Sequence, residues 1–282
     1  MTMTSARGAA EGLAAGGGAP ASRRAGRTSA AGAQARADAP DVAGAGLFAR
    51  SVRDYAGQHA GTQIRLLQAG CTGPIDDLGL DDLPAGGSVV SIRGIDEDHP
   101  LTRKAADTAR GAGVPVMLGD LRTVPLPSRE FAIVYCTHLL DRVEHAELVL
   151  DRLVAALRPG GLLLLRFRDR ECAAGLLDRL LPLAARRAVW HWLRPGQAGP
   201  FPAVFGPLLS AAGVEGYVLR RGLVIAERRA LRDRPPRPAR PAWGAPLACR
   251  LLAALSGGRL TDDHDDLLYV IRNPESGFAR VL

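Results

Sequence analysis

From residue 64 onward, short apolar runs alternate with longer segments whose apolar side chains recur at helical spacing. Residues 64–69, 89–95, 114–118, 131–136 and 162–167 predict five strands, each running into Gly, Asp or another polar residue. Between them, residues 101–112 predict a helix stopped by Gly111 and Gly113. Residues 146–157 predict another, with Leu148, Val149, Leu153 and Leu157 in helical register, ended by Arg158-Pro159-Gly160-Gly161. Phe48, Val52, Tyr55 and Ala56 predict a helix over 47–56 that packs on the sheet before the first strand, and 75–83 suits a short helix. Strands alternating with helices give an α/β fold: a Rossmann-like, doubly wound, mostly parallel seven-stranded sheet with helices on both faces.

Beyond 168 the pattern loosens. One helix is expected over 172–188, then an aromatic-rich turn over 189–195 and a short helix over 205–212. A strand lies within 217–226, a helix over 247–255 and a last strand within 266–272. Residues 228–241, rich in Pro and Arg, are excluded from a central strand or a regular helix. Residues 1–44 carry scarcely any large apolar side chain and are expected to be a disordered Ala/Gly/Arg-rich tail. Arg23-Arg24 is followed by no apolar run and is given no targeting role. The expected organisation is one domain over 45–282, with a cofactor-binding core at 60–168 and lid or substrate insertions at 170–265.

Composition changes this picture little. Hydrophobic residues make up 47% of 282 positions, enough for a sizeable core, and no apolar run is long enough to span a bilayer. The net charge of +7 is concentrated: residues 220–241 hold eight arginines against Glu227 and Asp233. A local solvated segment explains that excess, so nucleic acid is not an expected partner. Cys71, Cys136, Cys172 and Cys249 are scattered without a CxxC pair, which suits reduced thiols in a cytoplasmic protein and no metal site. Cys71 and Cys136 read as small apolar residues packed under a loop rather than as nucleophiles.

The candidate chemistry sits at the strand ends. The first strand runs into Gly70-Cys71-Thr72-Gly73, the second ends at Asp96, and Asp120 follows the third. In an open α/β sheet small ligands bind at that edge, and glycine lets the backbone come close to them. Two carboxylates there suit an adenosine-containing ligand, one accepting from the ribose hydroxyls and one from the adenine amino group.

These residues resemble the class I S-adenosylmethionine-dependent methyltransferases, of the broad small-molecule (methyltransferase type 11-like) kind. Residues 66–73, Leu-Leu-Gln-Ala-Gly-Cys-Thr-Gly, are similar to that family's glycine motif, and Gly94-Ile95-Asp96 to its "GID". Gly119-Asp120-Leu121 with Val124-Pro125-Leu126-Pro127 resembles "GDxxxLPxP", and residues 131–140 resemble "FDxVxxxHVLEH". Residues 153–165 match a helix–PGG–strand block. The resemblance implies S-adenosyl-L-methionine as cofactor and methyl transfer to an oxygen or nitrogen of a small molecule. It places Gln68, Gly70, Cys71, Thr72 and Gly73 beside the methionine part, Asp96 at the ribose, and Asp120 and Leu121 at the adenine. Thr137 and His138 would face the methyl group, with His138 as candidate base; the plain alternative is a loop histidine bonded to backbone. His191, between Trp190 and Trp192, is a poorer candidate, because that segment suits a lid.

The chain departs from the pattern in three places. The glycine motif is one glycine short, Gln68 stands where an acidic residue is usual, and Ala132 replaces the aspartate of "FD". The alternative function is therefore a non-catalytic methyltransferase-like binding or regulatory module with a degenerate cofactor loop. Trp190, Trp192, Phe201 and Phe205 suggest an aromatic or lipophilic acceptor, and lid packing accounts for them equally.

Overall fold

The computed structural model describes residues 42–71, 75, 78–83, 88–193, 199–232, 244–257, 260–261 and 263–275, apart from individual side chains within these segments. The expected tail, Thr72, Gly73 and most of the Pro/Arg stretch lie outside the described residues. The chain runs α1 (Val42–Gln58), β1 (Gln63–Ala69), β2 (Ser88–Asp96), α2 (Pro100–Gly111), β3 (Val116–Leu118), β4 (Phe131–Thr137) and α3 (Ala146–Ala156). It continues through β5 (Leu157–Arg168), α4 (Ala173–Leu180), α5 (Leu183–Leu193), α6 (Ala211–Arg221), β6 (Val224–Leu231), α7 (Gly244–Leu255) and β7 (Asp266–Arg272).

The seven strands are ordered β3-β2-β1-β4-β5-β7-β6. β1 to β5 are parallel, while β7 lies antiparallel to both β5 and β6. This is the mostly parallel, doubly wound sheet expected from the alternation. The order reverses between β1 and β4, which opens a crevice at their carboxyl ends.

Because β4 is buried at every position, its alternate side chains fill two cores. Val134 and Cys136 join Leu67, Leu163 and Leu165 under α3 and α6. Ile133 and Tyr135 join Leu66, Leu162 and Leu164 under α1, whose Leu47, Phe48, Val52, Tyr55 and Ala56 form one apolar stripe. Gly161 is required by packing: a Cβ there would lie 2.8 Å from the Ala132 carbonyl oxygen.

The later elements correct several expectations. The helix expected over 172–188 is two, because Leu181 is extended ahead of Pro182, as the residue before proline tends to be. α5 then continues to Leu193, where an aromatic turn was expected. Residues 205–210 are not helical; Ser210 caps α6, accepting from Gly213 N–H at 3.1 Å, and Tyr217 packs on the helix. The sixth strand starts only at Val224 and takes in Arg228–Leu231, which an edge position tolerates. Between 75 and 83, Leu80–Asp82 forms a single 3₁₀ turn.

Candidate functional site

Sheet register brings the glycine loop and both expected carboxylates to one edge. Gly70 N–H donates to the Ile95 carbonyl at 3.0 Å, and Gly119 N–H donates to the Asp96 carbonyl at 3.1 Å. Gly70 has φ +90°, and a Cβ on it would sit 2.5 Å from the Thr137 carbonyl oxygen. The turn after β1 therefore runs hard against the end of β4, a path only glycine takes without strain. Gln68 is buried within β1. The Cys71 and Cys172 thiols are pushed up to about 12, chiefly by burial, and Cys136 is raised by the same cause. All three are inert apolar packing at neutral pH.

Asp96 is fully buried and heavily engaged. Its Oδ2 accepts from Cys71 N–H at 2.8 Å, and its Oδ1 accepts from Glu97 N–H at 2.7 Å. The Arg142 guanidinium donates through Nη2 to Oδ1 at 2.7 Å and to Oδ2 at 2.9 Å. A carboxylate has about four acceptor positions, and all four are taken here. Arg142 is itself 4% exposed, and its Nε and Nη1 are buried with no hydrogen-bond partner among the described residues. The Phe201 ring covers it, 4.6 Å from the guanidinium carbon.

Asp120 is exposed and turned back onto Arg122, accepting from its backbone N–H at 2.9 Å and its Nη2 at 2.8 Å. Those bonds hold its pKa down to about 2. Leu121 is buried in the core. Glu97, half-buried beside Asp96, has its pKa raised by burial, against the pull of Arg142.

Thr137 ends β4 with its hydroxyl buried and without a partner among the described residues. His138 follows with φ 47°. Its Nδ1 lies 3.3 Å from Asp141 Oδ2, and its Nε2 lies 3.4 Å from Asp266 Oδ2. Burial disfavours the charged ring, but the Asp266 and Asp141 carboxylates outweigh it and push the pKa up to about 9. Unlike the partly exposed His138 ring, Asp266 is fully buried, which would raise it, yet His138, Arg166 and Arg168 hold its pKa well below the carboxylate range. An imidazole protonated at neutral pH has no lone pair to offer, so His138 can take up a proton only from its neutral form. His191 is exposed on α5.

Sequence reasoning missed Arg142, Asp266 and Arg166, which set the charge of this edge. A signal existed: Arg166 and Arg168 break the apolar run of β5 at its end, and Asp265-Asp266 open β7.

A nucleoside cofactor with an amino-acid tail asks this edge for a carboxylate facing its sugar, close-approach glycine and donors for a carboxylate. Asp96, Gly70 and Arg142 are groups of those kinds, and the unpartnered Thr137 hydroxyl and Arg142 N–H groups have bonds to give. The residues fit such a group once Arg142 releases Asp96.

Among known proteins, residues 67–165 match a family described as "Methyltransferase domain". No curated protein matches the sequence. The fold is similar to YcgJ of Bacillus subtilis, with 13% identity and TM-score 0.50 over 83% of this chain and 99% of that one. It is similar as well to a structure of the Haloferax volcanii Trm112 methyltransferase activator complexed with a methyltransferase, with 14% identity and TM-score 0.50 over 80% and 92%. An S-adenosylmethionine-dependent methyltransferase of Mesorhizobium loti shares 18% identity at TM-score 0.44, over 76% and 92%. Over residues 67–165, the stretch that runs from β1 into β5, the chain is similar to that methyltransferase-domain family.

Proposed function

We propose that this chain transfers a methyl group from S-adenosyl-L-methionine to an oxygen or nitrogen of a small-molecule acceptor. The observation carrying this reading is the convergence of Gly70, Asp96 and Gly119-Asp120 on one edge of the sheet, with Gly70 at the β1–β4 point where the strand order reverses. The bound cofactor would supply a sulfonium methyl group for direct displacement. Asp96 would hold the ribose hydroxyls, and Gly70 and Cys71, with Gln68 behind them, would border the methionine part. Thr72 and Gly73 are assigned to the same loop. Asp120 and Leu121 would flank the adenine, and Thr137 and His138 would face the acceptor. With its pKa near 9, His138 accepts the acceptor's proton more readily as the pH rises toward that value.

An apolar groove of about 480 Å³ beside Phe201, with Leu101, Leu183, Pro200 and Pro202 in its wall and Arg187 at its side, supports a small apolar acceptor. The basic segment lends little to a nucleic-acid acceptor: Arg220, Arg221, Arg228 and Arg229 face Glu147, Asp151, Glu215 and Glu227. No helix among the described residues is long and apolar enough to cross a membrane. Reduced, buried thiols suit a cytoplasmic setting.

The second reading, a module that does not turn over, is favoured by one observation, the full occupation of Asp96 by Arg142 and two backbone N–H groups. Titration calorimetry with S-adenosylhomocysteine, followed by methyl transfer from the labelled cofactor to a panel of amines and phenols, separates the two. Binding with transfer supports the enzyme and binding alone the module, while a folded protein giving no binding heat would overturn both.

A further inference from the structure

We infer that Arg142 and Phe201 form a latch over the sugar-binding carboxylate, so that the cofactor enters only by displacing the chain's own guanidinium. The inference rests on the proposed cofactor site and adds a control to it. Three observations carry it. First, the Asp96 carboxylate has no acceptor position left for a hydroxyl while Arg142 Nη2 bridges its two oxygens at 2.7 and 2.9 Å. Second, Arg142 is buried yet half satisfied: Nη2 is bonded, whereas Nε and Nη1 have no partner among the described residues. Such a guanidinium is held by its bonds to Asp96 alone and gains further bonds where it meets another acceptor, including a ligand carboxylate. Third, Phe201 is not a stray ring. Its ring contacts both the guanidinium, at 4.6 Å, and the His99 ring, with centroids 6.3 Å apart.

The segment carrying Phe201 is tied at two points. Arg186 Nη2 on α5 donates to the Phe201 carbonyl at 2.9 Å, and Val204 N–H donates to the Asp141 carbonyl at 3.0 Å. Asp141 directly precedes Arg142, so the strap and the guanidinium are anchored on the same loop. Moving the strap uncovers Arg142, and releasing Arg142 frees Asp96.

The latch lowers apparent affinity by the fraction of molecules that are open. A desolvated cation–π contact is strong enough that deleting the ring should raise the open population by roughly tenfold. The test is titration calorimetry of S-adenosylhomocysteine into wild-type protein, Phe201→Ala and Glu97→Gln. The latch requires that Phe201→Ala bind about tenfold tighter than wild type and that Glu97→Gln bind as wild type. Stopped-flow binding gives a second readout: the observed rate should level off with ligand concentration in wild type, and the plateau should rise in Phe201→Ala. Equal or weaker binding by Phe201→Ala overturns the latch and leaves the cofactor site intact, with Phe201 part of its wall. Loss of binding in Glu97→Gln overturns it as well, since the sugar would then rest on Glu97 while Asp96 stays paired. If wild type and both folded variants bind nothing, the cofactor reading falls and the latch with it.

Discussion

Replacing Arg142 by methionine should destabilise the protein far more than a typical surface change, because it strands a carboxylate that no water reaches. Arg142 and Asp96 have side chains 3% and 0% exposed. The guanidinium contributes two of the four hydrogen bonds that satisfy the carboxylate, and both are charge-assisted. Removing one partner of a buried ion pair costs about 3–5 kcal/mol, since the survivor keeps its desolvation penalty and loses its compensation. For a domain of this size that is a fall in Tm of roughly 6–20 °C. Asp96→Asn should cost a similar amount, because it leaves Arg142 unpaired and turns an amide N–H₂ toward a backbone donor. In the double variant Asp96→Asn/Arg142→Met neither charge remains, and most of the loss should return. Urea unfolding followed by far-UV circular dichroism gives the four corners of the cycle. A coupling energy of at least about 2 kcal/mol is the expected outcome. Additive single effects, or a loss below about 1 kcal/mol for Arg142→Met, would refute the buried pair and every conclusion drawn from it.

Further outcomes follow from the same edge of the sheet. Gly70→Ala should weaken both stability and cofactor binding, because φ +90° and a Cβ 2.5 Å from the Thr137 carbonyl oxygen both oppose it; unchanged calorimetric affinity would remove the glycine loop from the site. His138 has a folded pKa raised from 6.5 to about 9, so its stabilising charge is fully present below about pH 6.5 and is lost as the pH rises through 9. Unfolding free energy should fall across that window in wild type and lose that slope in His138→Asn. Asp266→Asn removes the larger of the two carboxylate influences on the ring, so NMR titration should show the His138 pKa moving down toward its ordinary value. A pKa still near 9 in that variant would assign the shift to Asp141 alone. Cys71, Cys136 and Cys172 should resist a thiol reagent under native conditions and react after unfolding; fast native labelling of any of them contradicts their burial.

The sheet was legible because its central strands are buried on both faces and therefore written as continuous apolar runs bounded by Gly, Asp and Pro, whereas β6, on the exposed edge, was misplaced. Asp96 and Asp120 were legible by position, since parallel strands end at the same edge. What surrounds them was not. Arg142 lies 46 residues beyond Asp96, and no local pattern says that a loop arginine folds onto a strand-end carboxylate. The same distance problem hid the state of His138: Asp266, which helps keep it charged, belongs to the last strand. Tyr217 misled for a different reason. Val and Tyr favour strands locally, yet Val214, Tyr217 and Val218 form one helical face, and the Ser210 cap fixes where that helix begins. Pro182, by contrast, was a readable break, because the residue before proline avoids helical backbone.

A crystal structure of the chain bound to S-adenosylhomocysteine would locate the nucleoside outright. Both ribose hydroxyls should lie within hydrogen-bonding distance of Asp96, with Arg142 moved off that carboxylate and the amino-acid tail beside Gly70. A nucleoside bound elsewhere, or bound here with the Arg142–Asp96 pair still closed, would contradict the proposed site.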